Sequence, residues 1–316
     1  MASTDSPAPA NPADAAARAA ADEASRRLGF AYLGVAVLSY GGLWPVMRLT
    51  VERMPPFWFA VARIFIGGVF LFVILGITRR LRWPTRADMP AILSVGICMM
   101  GLYVSLVHYA VQFVPAGRGA LLAYSTPLWV TPVAVLLYGE KLTRLRIGGL
   151  VLGLSGLALL FNPAAFDWSD PDILLGNGLL LLAAFSWSFA ILQMRGHKWN
   201  LTPLQLGPWQ LLVATVVALP LALLLETRSD VAWGPDLYAL IAYGGLIGTA
   251  IAMFTTASAV RGIGAMTASI GLLGCPVVAI TLSVLFLGEP PTVTLLGGLV
   301  LIVSGIALVS LPQRPR

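Results

Sequence analysis

Ten apolar runs, most of them about 20 residues long, dominate this chain, and roughly 17–25 apolar residues in an α-helix cross a bilayer core. Hydrophobic residues make up 58% of the 316 residues and charged residues 11%. The composition therefore excludes a soluble enzyme, a nucleic-acid binder and a disulfide-stapled secreted domain. The runs lie near 30–47, 56–77, 90–112, 116–138, 147–161, 173–194, 203–225, 237–259, 263–287 and 294–311.

The basic residues are spread unevenly over the segments that join these runs. With the N-terminus in the cytoplasm, 15 of the 20 Lys and Arg residues fall on cytoplasmic segments and four on external ones, while Arg63 lies within a span. Because cytoplasmic loops carry the excess of Lys and Arg, we expect both termini in the cytoplasm and a multi-pass protein of a bacterial-type cytoplasmic (inner) membrane.

The two ends of the chain are predicted to lie outside the membrane. Residues 1–29 are rich in Ala, Pro, Asp and Ser and lack the basic start and apolar core of a signal peptide. We expect a disordered cytoplasmic tail there, with a short helix across 14–27 as an alternative. A second cytoplasmic tail is expected at 312–316.

An internal repeat is the most specific signal in the sequence. Residues 139–160 and 288–309 are identical at 12 of 22 positions, at a constant offset of 149. The repeats are expected at 30–161 and 173–311, with five helices each. Because five is odd, the second repeat enters the membrane from the opposite side, which is a transporter architecture. The predicted fold is an all-α integral membrane protein with ten transmembrane helices in two inverted five-helix repeats.

Two related segments link the chain to a known family. They read AGRGALLAYSTPLWVTPVAVLLYGEKLT at 116–143 and AMTASIGLLGCPVVAITLSVLFLGEPPT at 265–292. In both, small residues open a helix, a proline breaks its middle and a Gly-Glu pair closes it. This pattern resembles the EamA-type ten-helix carriers of the drug/metabolite transporter superfamily, and within it the YddG-type amino-acid exporters. The resemblance implies a central cavity that exports metabolites, often amino acids.

Large or polar residues at mid-span are the candidates for lining such a cavity. Pro127 and Pro276 each free a backbone carbonyl, which lipid tolerates beside a cavity or another helix. The same residue types also serve in helix packing, and the sequence leaves both interpretations open. The predicted cavity residues are Tyr40, Trp44, Ser105, His108, Tyr124, Thr131, Trp187, Thr256 and Ser269.

Two ionisable residues lie well inside predicted spans. Arg63 is interpreted as a structural charge, bonded to helix-end carbonyls or extended towards the external surface. His108 lies on a polar stripe with Ser105, and its ordinary pKa of about 6.5 makes protons a candidate coupling ion. Tyr103 is about 140° from His108 on a helical wheel, so we expect that both cannot line one narrow cavity.

These patterns favour a secondary exporter that works by alternating access on a small-molecule substrate. Amino acids, including aromatic ones, are the expected substrates, and drugs or other metabolites are the alternative. A channel or a membrane-embedded enzyme is a distant alternative. No cluster of His and Cys has metal-binding spacing, and no phosphate loop or nucleophile elbow is present. We therefore predict no catalytic residue, no metal, no cofactor and no nucleic-acid partner; the oligomeric state stays open.

Overall fold

The computed structural model describes residues 12–138, 143–161, 169–194, 197–226 and 231–310. These residues form helices and their connections, without a strand in the described ranges. We number the ten helices by span, with α4 and α9 each interrupted once. They are α1 Pro12–Val51, α2 Pro56–Ile77, α3 Met89–Ala110, α4 Ala116–Ala123 with Thr126–Tyr138, α5 Arg144–Phe161, α6 Pro171–Met194, α7 Pro203–Leu225, α8 Pro235–Ile263, α9 Ala265–Gly271 with Gly274–Leu287, and α10 Val293–Ser310.

The helices coincide one to one with the ten apolar runs. Seven of them are long and apolar enough to cross a membrane, and α5 and α10 contain shorter apolar segments. Large hydrophobic side chains such as Leu136, Leu224 and Phe286 are exposed on the outside of the bundle, as expected for a surface that faces lipid. The chain is therefore a multi-pass membrane protein.

Helix α1 begins much earlier than its apolar run. It extends back to Pro12, so residues 12–29, which the sequence suggested as a tail, continue the first span as helix. Ala-rich sequence favours helix, and Arg27 donates to Glu23 one turn earlier at 2.6 Å. Residues 1–11 and 312–316 lie outside the described residues.

The two repeats are interleaved in space. Helices α1 and α2 of the first repeat pack against α8 of the second, and α1 also packs against α9. Reciprocally, α6 and α7 pack against α3, and α6 packs against α4. Counterpart helices also meet one another: α2 packs against α7, α4 against α9 and α5 against α10. We call the face where α1 ends the outer face and the face where α2 ends the inner face.

The repeated sequence motif forms the seam between α5 and α10. A Cβ on Gly305 would lie 2.5 Å from the backbone nitrogen of Gly153, and one on Gly156 would lie 2.8 Å from Ile302 Cγ1. Only glycine allows this approach, as in other close helix pairs of membrane proteins. The similarity between 139–160 and 288–309 thus reflects a contact between the two copies.

Helices α3 and α8 each contain a π-helical stretch, at Val95–Leu102 and Tyr243–Ile251. The two stretches occupy equivalent positions at the repeat offset of 149, within one residue. Each is pressed against a helix of the other repeat: a Cβ on Gly96 would lie 2.7 Å from Val213, and one on Gly245 2.6 Å from Ile66. The repeat therefore preserves a backbone irregularity, and such stretches concentrate at functional sites.

Helices α4 and α9 break where the sequence predicts a bend. Helix α4 is interrupted at Tyr124–Ser125 and α9 at Leu272–Leu273, shortly before Pro127 and Pro276. A proline leaves the carbonyl four residues earlier without its usual donor. In α4 that carbonyl is Ala123 O, and Thr126 Oγ1 donates to it at 3.2 Å. The break in α4 is thus satisfied locally, as lipid requires. In α9 the carbonyl of Leu272 accepts from the backbone N–H of Cys275 at 3.0 Å.

Asp88 joins the two repeats at the inner face. Its carboxylate accepts hydrogen bonds from the backbone N–H groups of Asn200 at 2.7 Å, Leu201 at 3.0 Å and Thr85 at 2.8 Å, and from Thr85 Oγ1 at 2.7 Å. Burial opposes ionisation, but these four donors together lower the pKa of Asp88 to about 2.

We expect Asp88→Asn to lower the melting temperature of the detergent-solubilised protein, because the amide has one acceptor oxygen for four donors. The cost is about 1–3 kcal/mol. Since the folded pKa lies below the ordinary value of about 3.9, the wild-type contribution is present above about pH 4 and is lost as the pH falls towards 2. The gap in melting temperature should therefore close in acid. Glu52→Gln, at an exposed carboxylate, is the control; an equal gap for both variants contradicts the assignment.

Candidate functional site

A cavity of about 270 Å³ lies at the centre of the bundle, between the two repeats. The interrupted helices α4 and α9 contribute their breaks to its wall, and the π-helical stretches of α3 and α8 contribute Met100, Gly248 and Thr249. The lining residues of the described chain are Tyr40, Leu43, Trp44, Met47, Arg63, Met100, Tyr103, Val104, Val107, His108, Ala123, Tyr124, Thr126, Trp187, Ile191, Gly248, Thr249, Met253, Thr256, Ser269, Leu272, Leu273 and Ile306.

Much of the lining comes in pairs related by the repeat. At the offset of 149, or of 147 between α1 and α6, seven positions of one repeat match a lining position of the other. The pseudo-two-fold axis therefore passes through the cavity. The pairs are Tyr40 with Trp187, Trp44 with Ile191, Met100 with Thr249, Val104 with Met253, Val107 with Thr256, Ala123 with Leu272, and Tyr124 with Leu273.

Aromatic rings form two contacts across the cavity wall. Tyr103 of α3 meets Trp187 of α6 edge to face, with ring centroids 4.6 Å apart. Trp44 of α1 lies 6.4 Å from Tyr124 of α4 in a tilted arrangement. Rings fixed in this way present rigid apolar faces and hydroxyl groups to a bound molecule.

Arg63 lies at the outer end of the cavity and is 7% exposed. Its Nε donates to Thr249 Oγ1 at 3.1 Å, and its Nη2 donates to the carbonyl of Gly248 at 3.4 Å. Its Nη1 donates to His108 Nε2 at 3.4 Å. The partners are neutral, and among the described lining residues Arg63 is the single charged side chain.

His108 is fully buried beside Arg63. Its Nδ1 lies 2.6 Å from the carbonyl of Val104, which can only accept, so Nδ1 carries the hydrogen. Nε2 is then the acceptor for Arg63, and Phe59 packs at 5.2 Å between ring centroids. A proton on Nε2 would place two cations side by side, so the geometry holds His108 neutral.

The structure brings most of the predicted cavity residues together. Ser105 is fully buried but lies outside the lining, and its Oγ has no hydrogen-bond partner in the described chain. The side chains of Thr131 and Pro127 lie outside the described residues, whereas Pro276 is buried next to the break in α9. The predicted residues found in the lining are Tyr40, Trp44, His108, Tyr124, Trp187, Thr256 and Ser269.

One expectation about α3 is wrong. Tyr103 and His108 both line the cavity, although they are about 140° apart on a helical wheel. The cavity is wide enough to wrap around that arc, with Val104 and Val107 between the two. The polar stripe of α3 that contains Ser105 and His108 therefore lies at the edge of the side that faces the cavity. Among the described residues of this stripe, His108 alone lines the cavity.

The cavity opens towards the inner face and is closed towards the outer face. Ser269, in the first part of α9, is exposed and lines the mouth, whereas Met47 at the other end is 2% exposed. Two side chains hold the α3–α4 hairpin at the outer face. Arg48 Nη1 donates to the carbonyls of Val111 at 3.0 Å and Gln112 at 2.9 Å, at the end of α3.

Glu289 completes this outer contact from the second repeat. Its carboxylate accepts from the backbone N–H groups of Ala116 at 2.7 Å and Gly117 at 3.1 Å, at the start of α4. Glu226 binds the N–H groups of Phe57 and Trp58 at the start of α2 in the same way. Carboxylates are stabilising at helix N-termini, so both glutamates join the repeats at the outer face. Glu140, the repeat counterpart of Glu289, lies outside the described residues.

Comparison with known proteins supports the repeat and the fold. The model of the EamA-like transporter family matches residues 27–162 and again 174–311, which together span most of the chain. The prediction of an all-α membrane protein with two five-helix repeats is confirmed by this double match and by the helices. A protein of known crystal structure superposes with a TM-score of 0.60 at 22% identity, covering 90% of this chain and 97% of the other.

Curated relatives cover nearly the whole chain. The uncharacterized transporter YoaV of Bacillus subtilis is 28% identical over 85% of this chain and 92% of its own length. A probable terminal-alkyne amino-acid exporter of Streptantibioticus cattleyicolor is 25% identical over 88% of this chain and 92% of its own.

We expect Glu289→Ala to weaken the outer closure, because it leaves two helix-terminal N–H groups without their acceptor. The measurement is labelling of Met47→Cys by an impermeant maleimide added from the outer side, after replacement of the free thiols Cys98 and Cys275. Labelling should accelerate several-fold in Glu289→Ala and stay unchanged in Glu52→Gln. No acceleration, with the melting temperature preserved, removes Glu289 from the closure.

Proposed function

The chain belongs to the EamA-like transporter family, and we propose that it exports amino acids, aromatic ones included, by alternating access through the central cavity. The observation that carries this proposal is the aromatic cavity on the pseudo-two-fold axis, open to one face and closed to the other. Exchange of conformations between the two inverted repeats would open the opposite face. The named relatives are transporters or an exporter, which agrees with a carrier.

The size and chemistry of the cavity support a small substrate with an apolar body. Its volume of about 270 Å³ is just below the range of drug-sized pockets, roughly 300–1,000 Å³. Tyr40, Tyr103 and Trp187 offer ring faces, while Thr249 and Thr256 offer hydroxyl groups. An amino acid with an apolar side chain has this combination of groups. One relative is named as an amino-acid exporter, which supports the same class.

The direction of transport follows from the proposed orientation. If the inner face is cytoplasmic, as the distribution of Lys and Arg predicts, the open mouth beside Ser269 receives substrate from the cytoplasm. The closed outer face then corresponds to the outside of the cytoplasmic (inner) membrane. Export is the net result when the cytoplasmic concentration is higher.

Drugs or other metabolites are the alternative substrates within the same family. A large drug would need the cavity to expand, whereas an amino acid fits the present volume. A channel is disfavoured because Arg48, Glu226 and Glu289 close one face while the other face is open.

Proton coupling was suggested by His108 alone, and the contacts of that residue favour a different role. We propose that His108 positions Arg63, since its Nδ1–H is bound to Val104 and its Nε2 accepts from Arg63. Transport without a proton would be facilitated diffusion down the gradient of the substrate.

The proposed function is tested with the full chain in liposomes, with radiolabelled phenylalanine and leucine. Uptake should exceed that of empty liposomes. Trp187→Ala should lower the ratio of phenylalanine to leucine transport several-fold, because it removes a ring that stacks on an aromatic substrate. Trp44→Ala should change the same ratio by enlarging the cavity. Trp83→Ala, at a highly exposed tryptophan, is the control. Absence of uptake of every amino acid tested would overturn the substrate class and leave the carrier fold intact.

We expect His108→Gln to retain the pH dependence of transport, because glutamine can still accept from Arg63 and His108 does not carry the proton. The rate should fall less than about tenfold, the cost of one weakened hydrogen bond. The measurement is initial uptake at several pH values, with and without an imposed proton gradient. Loss of gradient-driven uptake in the variant alone would make His108 the coupling residue.

A further inference from the structure

We infer that the guanidinium of Arg63 is the binding site for a carboxylate group of the substrate. The inference deepens the proposed function and rests on it for the location of the site. It differs from the structural role that the sequence suggested for Arg63, in which helix-end carbonyls would satisfy the charge.

The charge of Arg63 is not neutralised by any described residue. The guanidinium has five N–H donors, and the structure gives it three hydrogen bonds, to Thr249, Gly248 and His108. Two donors and a full positive charge remain beside the cavity. A buried cation without a counter-ion is costly in a low-dielectric interior, and an anion in the cavity would remove that cost.

The neighbours of Arg63 are arranged to hold it as a donor. Thr249 Oγ1 donates to the carbonyl of Gly244 at 2.8 Å, which directs a lone pair of the same oxygen to Arg63 Nε. His108 donates from Nδ1 to Val104, which leaves the lone pair of Nε2 for Arg63. Both partners are thereby fixed as acceptors, and the guanidinium is held in a single orientation. A preorganised guanidinium is suited to a planar carboxylate, which it binds by two parallel hydrogen bonds.

The π-helical stretch of α8 makes this arrangement possible. Thr249 accepts from Arg63 and donates five residues back to Gly244, the spacing of a π-turn, and Gly248 supplies the carbonyl. In the equivalent stretch of α3 the position of Thr249 is occupied by Met100. The anion site is therefore asymmetric, although the backbone that supports it is repeated.

The rest of the described lining is suited to binding the apolar part of the substrate and offers no carboxylate to its ammonium group. No Asp or Glu is among the described lining residues, so an ammonium group meets only hydroxyls, carbonyls and ring faces. Tyr40, Tyr103 and Trp187 line the same cavity as Arg63. The carboxylate should therefore contribute more binding free energy than the amino group, and an aromatic carboxylic acid without an amino group should bind as well as the amino acid.

The test separates the two charged groups of the substrate. Binding of radiolabelled phenylalanine to the purified full chain is competed with 3-phenylpropionate, which has only the carboxylate, and with 2-phenylethylamine, which has only the amine. We expect 3-phenylpropionate to compete at least as well as unlabelled phenylalanine. The amine should compete at least tenfold more weakly, because hydrogen bonds to a charged group are worth about 1.5–3 kcal/mol, or roughly 10- to 150-fold. This comparison uses the unmodified protein and needs no folded variant.

Variants then assign the preference to Arg63. Arg63→Gln should remove the advantage of the acid over the amine, Arg63→Lys should retain part of it, and Arg261→Gln, at an exposed arginine bonded to Ser258, should keep all of it. Each variant is first compared with wild type in folded yield and melting temperature. If Arg63→Gln folds and keeps the advantage, or weakens acid and amine equally, Arg63 is structural and the carboxylate site is overturned.

Failure of the proposed function gives a different result. Direct binding of radiolabelled 3-phenylpropionate without binding of phenylalanine would sustain the carboxylate site and overturn the amino-acid substrate. Transport of phenylalanine with equal competition by acid and amine would sustain the function and overturn the site. Binding of neither acid would overturn the carboxylate site.

Discussion

Every backbone N–H and C=O group of a lipid-embedded helix must find a partner within the protein, since no water is available in the hydrocarbon core. This constraint explains where the irregular backbone of the structure lies. The breaks in α4 and α9 and the π-helical stretches of α3 and α8 all lie against the central cavity or the opposite repeat. Side chains such as Thr126 and Thr249 satisfy the displaced carbonyls. The same irregularities that create a cavity are thus confined to it.

The repeated helices determine the shape of the cavity, and the residues that differ between the two repeats determine its chemistry. Tyr40 and Trp187 are equivalent and both aromatic, so the apolar character is nearly symmetric. The polar groups are not symmetric. Thr249 and Thr256 are the repeat equivalents of Met100 and Val107, and the residue equivalent to Arg63 is not charged. A cavity built in this way has its single charge at Arg63, and aromatic rings, aliphatic groups and hydroxyl groups along the rest of its described lining. It can orient a molecule that has one polar group.

The sequence predicted the features of the fold that depend on the internal repeat or on the spacing of apolar residues. It predicted ten helices, the inverted repeats and the breaks near Pro127 and Pro276, because these depend on local chemistry. The position of Arg63 could not be predicted, because its partners Thr249 and His108 are distant in sequence and meet it only through interleaving of the repeats. Tyr103 was misjudged, because a helical wheel gives directions but not the width of the cavity. The π-helical stretches have no simple signature, although the glycines at 96, 101, 244, 245 and 248 coincide with them.

If the cavity closes at the inner face and opens at the outer face, the charged residues at its two ends are affected in different ways. Closing the inner mouth would remove Arg63 from water entirely, and an uncompensated guanidinium makes that step costly. A carboxylate bound to Arg63 would leave the site without net charge, so the loaded carrier could close more easily than the empty one.

At the outer face, Arg48 and Glu289 hold the α3–α4 hairpin through backbone groups rather than through each other. Such contacts are strong while the face is closed and can be replaced by water when it opens, so they fit a closure that must be reversible. Arg63 inside the cavity and Arg48 and Glu289 at the outer face thus lie where the proposed conformational exchange would use them.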